Sequence, residues 1–455
     1  MFGLPQTGQL ELDTLTGRFT KQIPRSSIKG CTVSMPILPR RADRWLLERI
    51  LNATGPAPIR LVVKDGETAS PVDAFPIATV RIQDRRTLWK LLVDPETGFG
   101  DAYSGGRIHV EGDLVRFLEL VYESAAAAPA FIHWYSWLAS KWMELRQSNS
   151  LRGSRQNIHL HYDLGNDFYR HWLDSQLVYT CAYFPAPSAT LEDAQIGKMH
   201  YVCRKLRLQP GETVVEAGCG WGALALHMAR EYGVSVKAFN ISREQIRFAR
   251  ERAQREGLSG QVEFVEDDYR NIAKRFDSKR FDAFVSVGML EHVGADHYWE
   301  LGRIIHRAIG DSGRGFLHFI GRNYPLPLSC WIRKQIFPWG SPPKLRQVAD
   351  IFEPRNFSVL DVENLRLHYA KTLEHWLARF EKAERQILAM YDERFVRAWR
   401  LYLAGSIAAF RSGTLQLFQI LFAGSKCRPM PWTRAPLYAE QAPAVGNATW
   451  TAATF

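Results

Sequence analysis

The chain has 455 residues, which is too long for one small domain and predicts two or three domains of ordinary size. Hydrophobic residues make up 46% of the sequence, which excludes a disordered chain. Lys and Arg number 58 against 47 Asp and Glu, so the net charge is +11, and there are 14 tryptophans. A basic, aromatic-rich chain predicts a polyanionic partner, either a nucleic acid or the anionic face of a membrane, and composition does not choose between them.

The N-terminal segment MFGLPQTGQLELD has no basic start and no apolar run, so we expect no signal peptide. No stretch reaches the ~20 apolar residues of a membrane-spanning helix. The uncharged segment 124–140 is interpreted as a surface-seeking or core helix. The six cysteines form no C-x-x-C pair, which argues against a zinc site and a disulfide framework. These features predict a reduced, intracellular chain without a metal.

Residues 1–150 are predicted to form a small α+β domain with no evident catalytic cluster. β-branched runs bounded by Gly, Asp and Pro predict strands, and apolar residues at helical spacing predict helices. The strands are expected at 60–63, at 77–82 and in GGRIHVEGD, and the helices at 87–93 and 114–123.

Residues 151–428 alternate strands and helices as βαβ units do, which predicts a second, larger α/β domain. Residues 429–455 are rich in Pro, Ala and Thr and end in a long uncharged stretch. They are predicted to be a flexible C-terminal tail.

The strongest local signal is the segment TVVEAGCGWGALALHMAREYGVSVKAFNIS. A predicted strand at 213–217 leads into Gly218, Gly220 and Gly222, and a helix and a second strand follow. Glycines are needed where the backbone turns sharply and a nucleotide lies against main-chain N–H groups. The spacing differs from the dinucleotide pattern, and Glu216 suits a cofactor with a cationic or amino-acid end. This is the pattern of a class I S-adenosylmethionine (SAM) methyltransferase, and a generic Gly-rich turn is the alternative.

Three further strands are predicted downstream, in VEFVEDDYRNI, RFDAFVSVGMLEHV and GRGFLHFIG. Asp268 and Tyr269 follow the first of these, where adenine is usually bound. Glu291 and His318 stand at or beyond the ends of the other two. Nucleotide sites lie at the carboxyl edge of such sheets, so these two side chains are predicted to face one cavity.

One position departs from the common methyltransferase pattern. The second strand often ends in an acid that binds the ribose hydroxyls, and here Asn240 stands in that place, with Ser242 and Gln245 following. Neutral amides can form the same hydrogen bonds.

Six motifs occur in order along the chain: HYDLGNDFYRHWLD, VYTCAYF, GCGWG, VGMLEHVG, LHFIG and FRSGTLQLFQILF. Together they resemble the cyclopropane-fatty-acyl-phospholipid synthases and the mycolic-acid cyclopropane synthases over roughly residues 150–425. The first 150 residues resemble, more loosely, the N-terminal domain of the phospholipid-acting branch, where lipid binding and dimerisation are the two roles considered. The resemblance implies an α/β class I methyltransferase, Rossmann-like with a seven-stranded, mostly parallel sheet, and a smaller N-terminal α+β domain.

The family reaction transfers the methyl group of SAM to the cis double bond of an unsaturated acyl chain and closes a cyclopropane ring. The intermediate is a carbocation, which requires a dry cavity lined with aromatic rings. A bound bicarbonate is understood to be the base, and its holders match Cys181, Glu291, His318, Tyr369 and the main chain of Ile320. The positions that match or suit the family's SAM contacts are Tyr179, Thr180, Glu216, Gly218, Gly220, Trp221, Gly222, Asn240, Ser242, Gln245, Asp268 and Tyr269.

Without the resemblance, Cys181 would be interpreted as a small buried hydrophobe, His318 as a core histidine and Tyr369 as a packed aromatic. Two positions depart from the family. Ser406 stands where many members have Cys, which is mild evidence against a nucleophilic role there. Phe319 stands where Thr is usual, and a bulkier ring near the anion site could change how the cation resolves. A related C-methylase that leaves a methyl or methylene branch is therefore the second candidate.

Residues 312–349 contain Arg and Lys interleaved with aromatic and aliphatic residues, and no Asp or Glu. This pattern predicts a helical, lipid-binding segment that contacts an anionic membrane, since apolar groups enter the acyl boundary while cations meet phosphates. RNA binding and an ordinary solvated face are the rival interpretations. We expect a bacterial, cytoplasmic enzyme, peripheral on the inner face of the membrane, that acts on unsaturated phospholipid and binds no nucleic acid, and homodimerisation is left open. A non-enzymatic lipid- or RNA-binding module on an inactive scaffold is the remaining class, against which the intact glycine loop, Glu291 and His318 argue.

Overall fold

The structure is a computed structural model, and it describes residues 40–53, 58–64, 68–70, 76–126, 164–276, 280–323, 329–337, 340–428 and 432–435. These residues belong to one unit that begins at residue 40. The predicted domain boundary at 150, most of the segment 124–140 and most of the tail 429–455 lie outside the described residues, so these remain predictions. Within the described ranges, no helix combines the length and the apolar composition needed to cross a bilayer.

The first part of the structure is a four-stranded sheet with four helices. Strand order is β2-β1-β3-β4; β1 and β3 are parallel, and the other two neighbouring pairs are antiparallel. Buried and more exposed residues alternate along β1 and β3, so the sheet has one apolar face. The elements are α1 (Arg40–Ala53), β1 (Ile59–Val63), β2 (Thr68–Ala69), β3 (Ala78–Ile82), α2 (Arg85–Val93), α3 (Pro95–Ser104), β4 (Ile108–Gly112) and α4 (Leu114–Ala126).

The second part is a seven-stranded sheet in the order β10-β11-β9-β8-β5-β6-β7. The five strands from β9 to β7 are parallel, and β11 is antiparallel to both of its neighbours. The predicted mostly parallel sheet of seven strands is therefore confirmed. Its strands are β5 (Thr213–Ala217), β6 (Ser235–Asn240), β7 (Val262–Glu266), β8 (Ala283–Val287), β9 (Arg314–Gly321), β10 (Ser358–Asn364) and β11 (Gln416–Ala423).

Eleven helices surround this sheet in the described part of the chain. The first six are α5 (Asn166–Arg170), α6 (Leu191–Leu206), α7 (Ala223–Tyr232), α8 (Arg243–Arg255), α9 (Ile272–Arg275) and α10 (Tyr298–Ile309). The others are α11 (Cys330–Gln335), α12 (Leu345–Phe352), α13 (Arg366–Lys382), α14 (Glu384–Met390) and α15 (Glu393–Arg411). Because β5 has β6 on one side and β8 on the other, the strand order reverses beside β5. Ligands of open α/β sheets bind in the crevice at such a point.

Helix α15 connects the two sheets. Its Arg397 donates from Nε to the carbonyl of Tyr103, at 2.6 Å, and from Nη2 to the carbonyl of Ile108, at 2.7 Å. Arg411, at the end of the same helix, donates to the carboxylate of Glu119 on α4 at 3.0 Å. Charged side chains therefore hold the small sheet and its helices against the larger part.

Several described residues of the basic segment 312–349 do not lie on a common surface. Trp331 and Ile336 are each only 3% exposed and belong to the core. The ring of Trp331 packs on Gly100, where a Cβ atom would lie 2.4 Å from the indole. Arg314 begins β9 at the opposite edge of the sheet and pairs with Glu212 at 2.6 Å. These residues correct the predicted membrane-contacting pattern, and four of its other apolar residues lie outside the described ranges: Tyr324, Leu326, Leu328 and Trp339.

Candidate active site

A cavity of about 810 Å³ lies at the carboxyl edge of the large sheet, beside the reversal of strand order. Its wall includes the glycine loop after β5, the ends of β8 and β9, and parts of α13 and α15. The predicted site residues that line it are Tyr179, Thr180, Glu216, Gly218, Gly220, Trp221, Asn240, Gln245, Glu291, Ile320 and Tyr369. The predicted residues that are not part of the wall are Cys181, Gly222, Ser242, Asp268, Tyr269 and His318.

The loop between β5 and α7 has a backbone that only glycine adopts easily. Gly218, Gly220 and Gly222 all have positive φ, at +87°, +53° and +83°. A Cβ atom on Gly222 would also lie 2.6 Å from the ring of Phe264 on β7. The amides of Gly218 and Cys219 both donate to the carbonyl of Phe239, at 2.9 and 3.0 Å, which anchors the loop to β6. The predicted sharp turn is confirmed.

Asn240, at the end of β6, connects the loop to helix α8. Its Nδ2 donates to the carbonyl of Gly220 at 3.3 Å and to Oε1 of Gln245 at 2.7 Å, and its Oδ1 accepts from the amide of Ser242 at 3.2 Å. Ser242 caps α8 by accepting from the amide of Gln245 at 3.4 Å. Asn240 and Gln245 reach the cavity, whereas the hydroxyl of Ser242 serves the helix. The ribose-binding role of these residues stays a prediction.

Asp268 and Tyr269 follow β7, as predicted, but are not part of the cavity wall. Both carboxylate oxygens of Asp268 accept from Arg270, each at 2.8 Å. Tyr269 is half-buried, and burial raises the pKa of its hydroxyl above the ordinary value. Their adenine-binding role stays a prediction.

Two opposite charges face the cavity beside the glycine loop. Lys198, on α6, is 2% exposed, and its Nζ donates to Oγ1 of Thr180 at 2.9 Å. Glu216, on β5, is 2% exposed, and its Oε2 has no hydrogen-bond partner among the described residues. Burial lowers the pKa of Lys198 to about 8 and raises that of Glu216 to about 8. Sequence reasoning missed Lys198, although it lies on the buried stripe of α6 at helical spacing from Leu191, Ala194, Gln195 and Val202.

Glu291 lies in the short 3₁₀ turn that follows β8. Its Oε1 accepts from the main-chain amide of Ile320 at 2.5 Å, and its Oε2 has no partner in the part of the chain that the structure describes. Burial raises the pKa of this carboxyl to about 7, although the hydrogen bond from Ile320 opposes the shift. A carboxyl group with this pKa can exchange a proton near neutral pH.

His318, on β9, is 2% exposed and forms a cross-strand pair with Gln419 of β11. Nε2 of Gln419 lies 3.1 Å from Nδ1 of the histidine, and Nε2 of the histidine has no partner among residues in the described ranges. Burial, reinforced by Lys198 and Lys205, holds the pKa of His318 well below its usual value. With the amide of Gln419 donating to Nδ1, the neutral ring carries its hydrogen on Nε2 and is a donor there. Gln419 was missed by sequence reasoning, although a glutamine within an apolar strand was a signal.

Cys181 and Tyr369 complete the predicted anion site. Cys181 is 1% exposed, its Sγ donates to the carbonyl of Ala182 at 3.1 Å, and burial raises the pKa of the thiol. It is therefore a neutral thiol and not a nucleophile. The ring of Tyr369 lines the cavity and lies 4.7 Å, centroid to centroid, from that of Phe410.

The polar groups near Ile320 fit a bicarbonate ion. A bicarbonate oxygen accepts hydrogen bonds and its hydroxyl donates one. The atoms here without a partner in the described residues are one donor, His318 Nε2, and two acceptors, Glu291 Oε2 and Gln419 Oε1. Because Glu291 binds the amide of Ile320, two residues from His318 on the same strand, these groups are near neighbours. The amide of Ile320 already donates its hydrogen to Glu291, so it acts on the anion site through that carboxyl group.

The two departures from the family pattern lie in different surroundings. Phe319 is fully buried on the face of β9 opposite to His318, with its ring 5.8 Å from that of Phe418. It therefore does not face the anion site, which corrects the expectation that its bulk could affect the cation there. Ser406 is half-buried in α15 and does line the cavity.

The strand order, with the glycine loop at its reversal, defines a SAM-dependent methyltransferase of class I. The chain belongs to the mycolic acid cyclopropane synthetase family, whose model matches residues 149–420. A "Probable fatty acid methyltransferase" of Pseudomonas putida is 34% identical over 390 residues, which are 84% of this chain and 96% of the relative. The cyclopropane-fatty-acyl-phospholipid synthase of Escherichia coli K12 is 41% identical over 264 residues, 58% of this chain and 66% of that enzyme.

A solved structure supports the same assignment. The mycolic acid cyclopropane synthase CmaA1, complexed with SAH and CTAB, is 31% identical and superposes with a TM-score of 0.55. The match covers 59% of this chain and 97% of that one.

Proposed function

We propose that the protein uses SAM to convert the cis double bond of an unsaturated phospholipid acyl chain into a cyclopropane ring. The observation that carries this proposal is a single cavity that joins the glycine loop, the carboxyl group of Glu291 and a long apolar wall. The name of the Escherichia coli relative supports phospholipid as the substrate class.

The apolar wall extends to the small N-terminal sheet. Ile59 and Leu61 of β1 and Val80 and Ile82 of β3 line the same cavity as the glycine loop. Burying hydrocarbon contributes about 0.8 kcal/mol per CH₂ group, so a wall of this kind favours an acyl chain. This supports lipid binding, and not dimerisation alone, as the role of the N-terminal part.

Aromatic side chains line the cavity beside the cofactor loop. SAM, when bound, supplies an electrophilic methyl group. The π electrons of the double bond would form the new C–C bond to that methyl while its bond to the sulfonium sulfur breaks and S-adenosylhomocysteine leaves. A carbocation would remain on the acyl chain, and loss of a proton from the added methyl to the bound base would close the ring. Ring faces stabilise a nearby cation, and a dry wall keeps water from trapping it. The rings that line this cavity include those of Tyr179, Trp221, Tyr369, Tyr402 and Phe410.

Glu291 and His318 are assigned to the proton-transfer step. Bicarbonate, when bound, supplies the base that the cation requires. His318 would donate from Nε2 to an oxygen of this anion, and Glu291 would accept a proton at Oε2. Tyr369 would donate from its hydroxyl, Ile320 would hold Glu291 through its amide, and Cys181 would pack behind the wall as a buried thiol.

The SAM site is assigned to the glycine loop and its surroundings. The cavity wall supports this role for Tyr179, Thr180, Glu216, Gly218, Gly220, Trp221, Asn240 and Gln245. Gly222 and Ser242 support it indirectly, because they shape the loop and cap α8. Asp268 and Tyr269 are assigned to the part of the site that would bind the adenine of SAM.

The protein is further assigned to the cytoplasmic face of the membrane as a peripheral enzyme. The net charge of +11 supports attraction to anionic lipid, at about 1 kcal/mol per Lys or Arg near the surface. Lys334 and Arg346 are exposed members of the basic segment. Homodimer formation stays a prediction.

Product analysis tests the function. The protein is incubated with SAM and vesicles of unsaturated phosphatidylglycerol, and in parallel with vesicles of unsaturated phosphatidylcholine. Mass spectrometry is expected to show a gain of one CH₂ unit per acyl chain, faster on the anionic vesicles, and NMR is expected to show high-field ring protons. Protons of a terminal methylene group, or of a methyl branch on a chain that keeps its double bond, with the same mass gain would identify the C-methylase instead. No mass gain on either lipid would reject both activities.

A further inference from the structure

We infer that Lys198 binds the α-carboxylate of the cofactor and Glu216 its α-ammonium, so that the two side chains recognise the amino-acid end of SAM as a zwitterion. Lys198 is thereby a cofactor-binding residue. This inference rests on the proposed use of SAM at this cavity.

The positions of the two groups are complementary to that end of the molecule. Both line the cavity next to Gly218 and Gly220, and both are 2% exposed. The ammonium of Lys198 has three hydrogens, and the structure gives it one acceptor, Oγ1 of Thr180. The carboxylate of Glu216 has an oxygen with no partner in the described residues. Each side chain therefore has capacity for a ligand of opposite charge.

A second lysine on the same helix shows how the fold satisfies a buried ammonium. Lys205 is 1% exposed, and its Nζ lies 2.9 Å from Oδ2 of Asp361 and 2.7 Å from Oε2 of Glu363. No carboxylate among the described residues forms such an ion pair with Lys198. An unpaired buried charge is strongly unfavourable, so a ligand carboxylate is the natural partner.

The nearby acids do not fill this role. Asp174 is close enough to affect Lys198 electrostatically, but its two oxygens accept from the amides of Val178 and Gln176, each at 2.9 Å. Glu216 and Lys198 also favour each other's charged form, but they form no ion pair with each other. Burial still shifts the pKa of Lys198 downward and that of Glu216 upward, which is the direction expected when neither charge is fully compensated. A bound zwitterion would supply both missing charges.

Calorimetry with three ligands separates the two contacts. S-adenosylhomocysteine carries both charges, its decarboxylated analogue keeps only the ammonium, and 5′-methylthioadenosine has neither. Lys198→Met is expected to weaken S-adenosylhomocysteine by about 10- to 100-fold, the range of a hydrogen bond to a charged group, while changing the affinity for the decarboxylated analogue by less than about threefold. Glu216→Gln is expected to weaken both of these ligands and to leave 5′-methylthioadenosine unchanged.

Two further variants control for folding. Lys237→Met removes a lysine that pairs with Glu263 on the sheet surface and should change none of the three affinities. Lys198→Arg keeps the charge and should restore most of the affinity for S-adenosylhomocysteine, also if the methionine variant does not fold. In Lys198→Met, equal losses for S-adenosylhomocysteine and its decarboxylated analogue, or no loss for either, would overturn the inference. Failure of the unaltered protein to bind S-adenosylhomocysteine would instead reject the proposed use of SAM.

Discussion

At the scale of single residues, Glu291 and His318 are polar groups whose hydrogen-bonding capacity the described residues leave unfilled. Each is at least nine-tenths buried and has one atom without a partner there. A buried polar atom without a hydrogen bond is unfavourable, so its presence beside a cavity marks a functional site. The side-chain amide of Gln419 donates to Nδ1 of His318, so the histidine carries its hydrogen on Nε2 and is a donor there.

Substituting either group is expected to affect the chemical step more than cofactor binding. Glu291→Gln and His318→Gln should each lower turnover by at least about 100-fold, the usual effect of losing a positioned proton-transfer group. The affinity for S-adenosylhomocysteine should change by less than about threefold, because the hydrogen bonds of these two side chains in the described residues go to Ile320 and Gln419 and not to the glycine loop. Phe319→Leu is the matched control, since it lies next to His318 on the opposite face of β9. Near-normal turnover in both Gln variants would contradict the assignment.

The pH profile tests the ionisation of Glu291. Its pKa is raised from 4.5 to about 7, so the proton-accepting carboxylate predominates only above pH 7. Turnover of the unaltered protein should therefore fall as the pH decreases through about 7, and the residual turnover of Glu291→Gln should lack this decrease. Single-turnover rates between about pH 5.5 and 8.5 measure both profiles. A flat profile for the unaltered protein would show that ionised Glu291 is not required.

The strand-end argument predicted Glu291, and the cavity confirms its place there. It could not predict that His318 is not part of the wall. His318 shares its face of β9 with Ile320, which does line the cavity, and the period of two does not show how far along the strand the cavity reaches. Lys198 and Gln419 were missed for another reason. Each belongs to an element that sequence assigns to the core, and only the packing of α6 and β11 against the site reveals a role for a polar side chain there.

At the scale of elements, short β-branched runs predicted most strands well. The expected strands at 60–63, 77–82 and 213–217 correspond to β1, β3 and β5 within one residue at each end. The two-residue strand β2 has no periodicity to detect. The burial of α11 could not be predicted from sequence either. Its Trp331 and the nearby arginines have the pattern of a membrane-facing segment, and only the structure shows that the Trp331 ring packs on Gly100.

The junction of β5, its loop and α7 should tolerate no side chain at Gly222. Alanine there would keep a positive φ and place its Cβ 2.6 Å from the Phe264 ring and 2.9 Å from the Cβ of Ala249. The left-handed backbone costs about 1–2 kcal/mol and overpacking a further ~1–3 kcal/mol. Gly222→Ala should therefore lower the free energy of unfolding in urea by at least about 2 kcal/mol.

Gly260→Ala is the matched control for that substitution. No atom lies within 4 Å of a Cβ at Gly260, and its φ is not positive. The free energy of unfolding should change by less than about 0.5 kcal/mol. Equal stability of the two alanine variants would show that the loop rearranges to accommodate the methyl group.

At the scale of the whole molecule, the sequence predicted two domains that meet near residue 150. The structure places described residues from both sides of that predicted boundary in one unit and in the wall of one cavity. The large number of aromatic residues also gains an explanation. The ring of Trp172 lies 5.3 to 5.9 Å from those of Tyr179, Trp376 and Trp399, in a cluster that supports the cavity wall. Sequence periodicity could not show that both parts of the chain line one cavity, because periodicity describes each element alone and not the contacts of α15 with the small sheet.

Arg397 is expected to couple the two parts in unfolding. Its guanidinium group satisfies the buried carbonyls of Tyr103 and Ile108 and lies 4.5 Å from the centre of the Tyr103 ring. Arg397→Met would leave both carbonyls without these donors, so the free energy of unfolding should fall by about 2–3 kcal/mol. The unaltered protein should unfold in one urea transition by tryptophan fluorescence and by far-UV circular dichroism. In the variant, the dichroism midpoint should move with the fluorescence midpoint or precede it, because the small sheet loses two of its hydrogen bonds to α15.

An exposed arginine provides the comparison for Arg397. Arg44 pairs with Glu48 at 3.2 Å on the surface of α1, where both side chains are more than half exposed. Because exposed ion pairs of this kind contribute about 0.3–0.5 kcal/mol, Arg44→Met should hardly change either midpoint. Two separate transitions in the unaltered protein, or equal midpoints for the two variants, would show that the small sheet folds independently of α15. A single transition whose midpoint falls in Arg397→Met but not in Arg44→Met would instead mean that the two sheets unfold together. The cavity would then exist only while both sheets are folded.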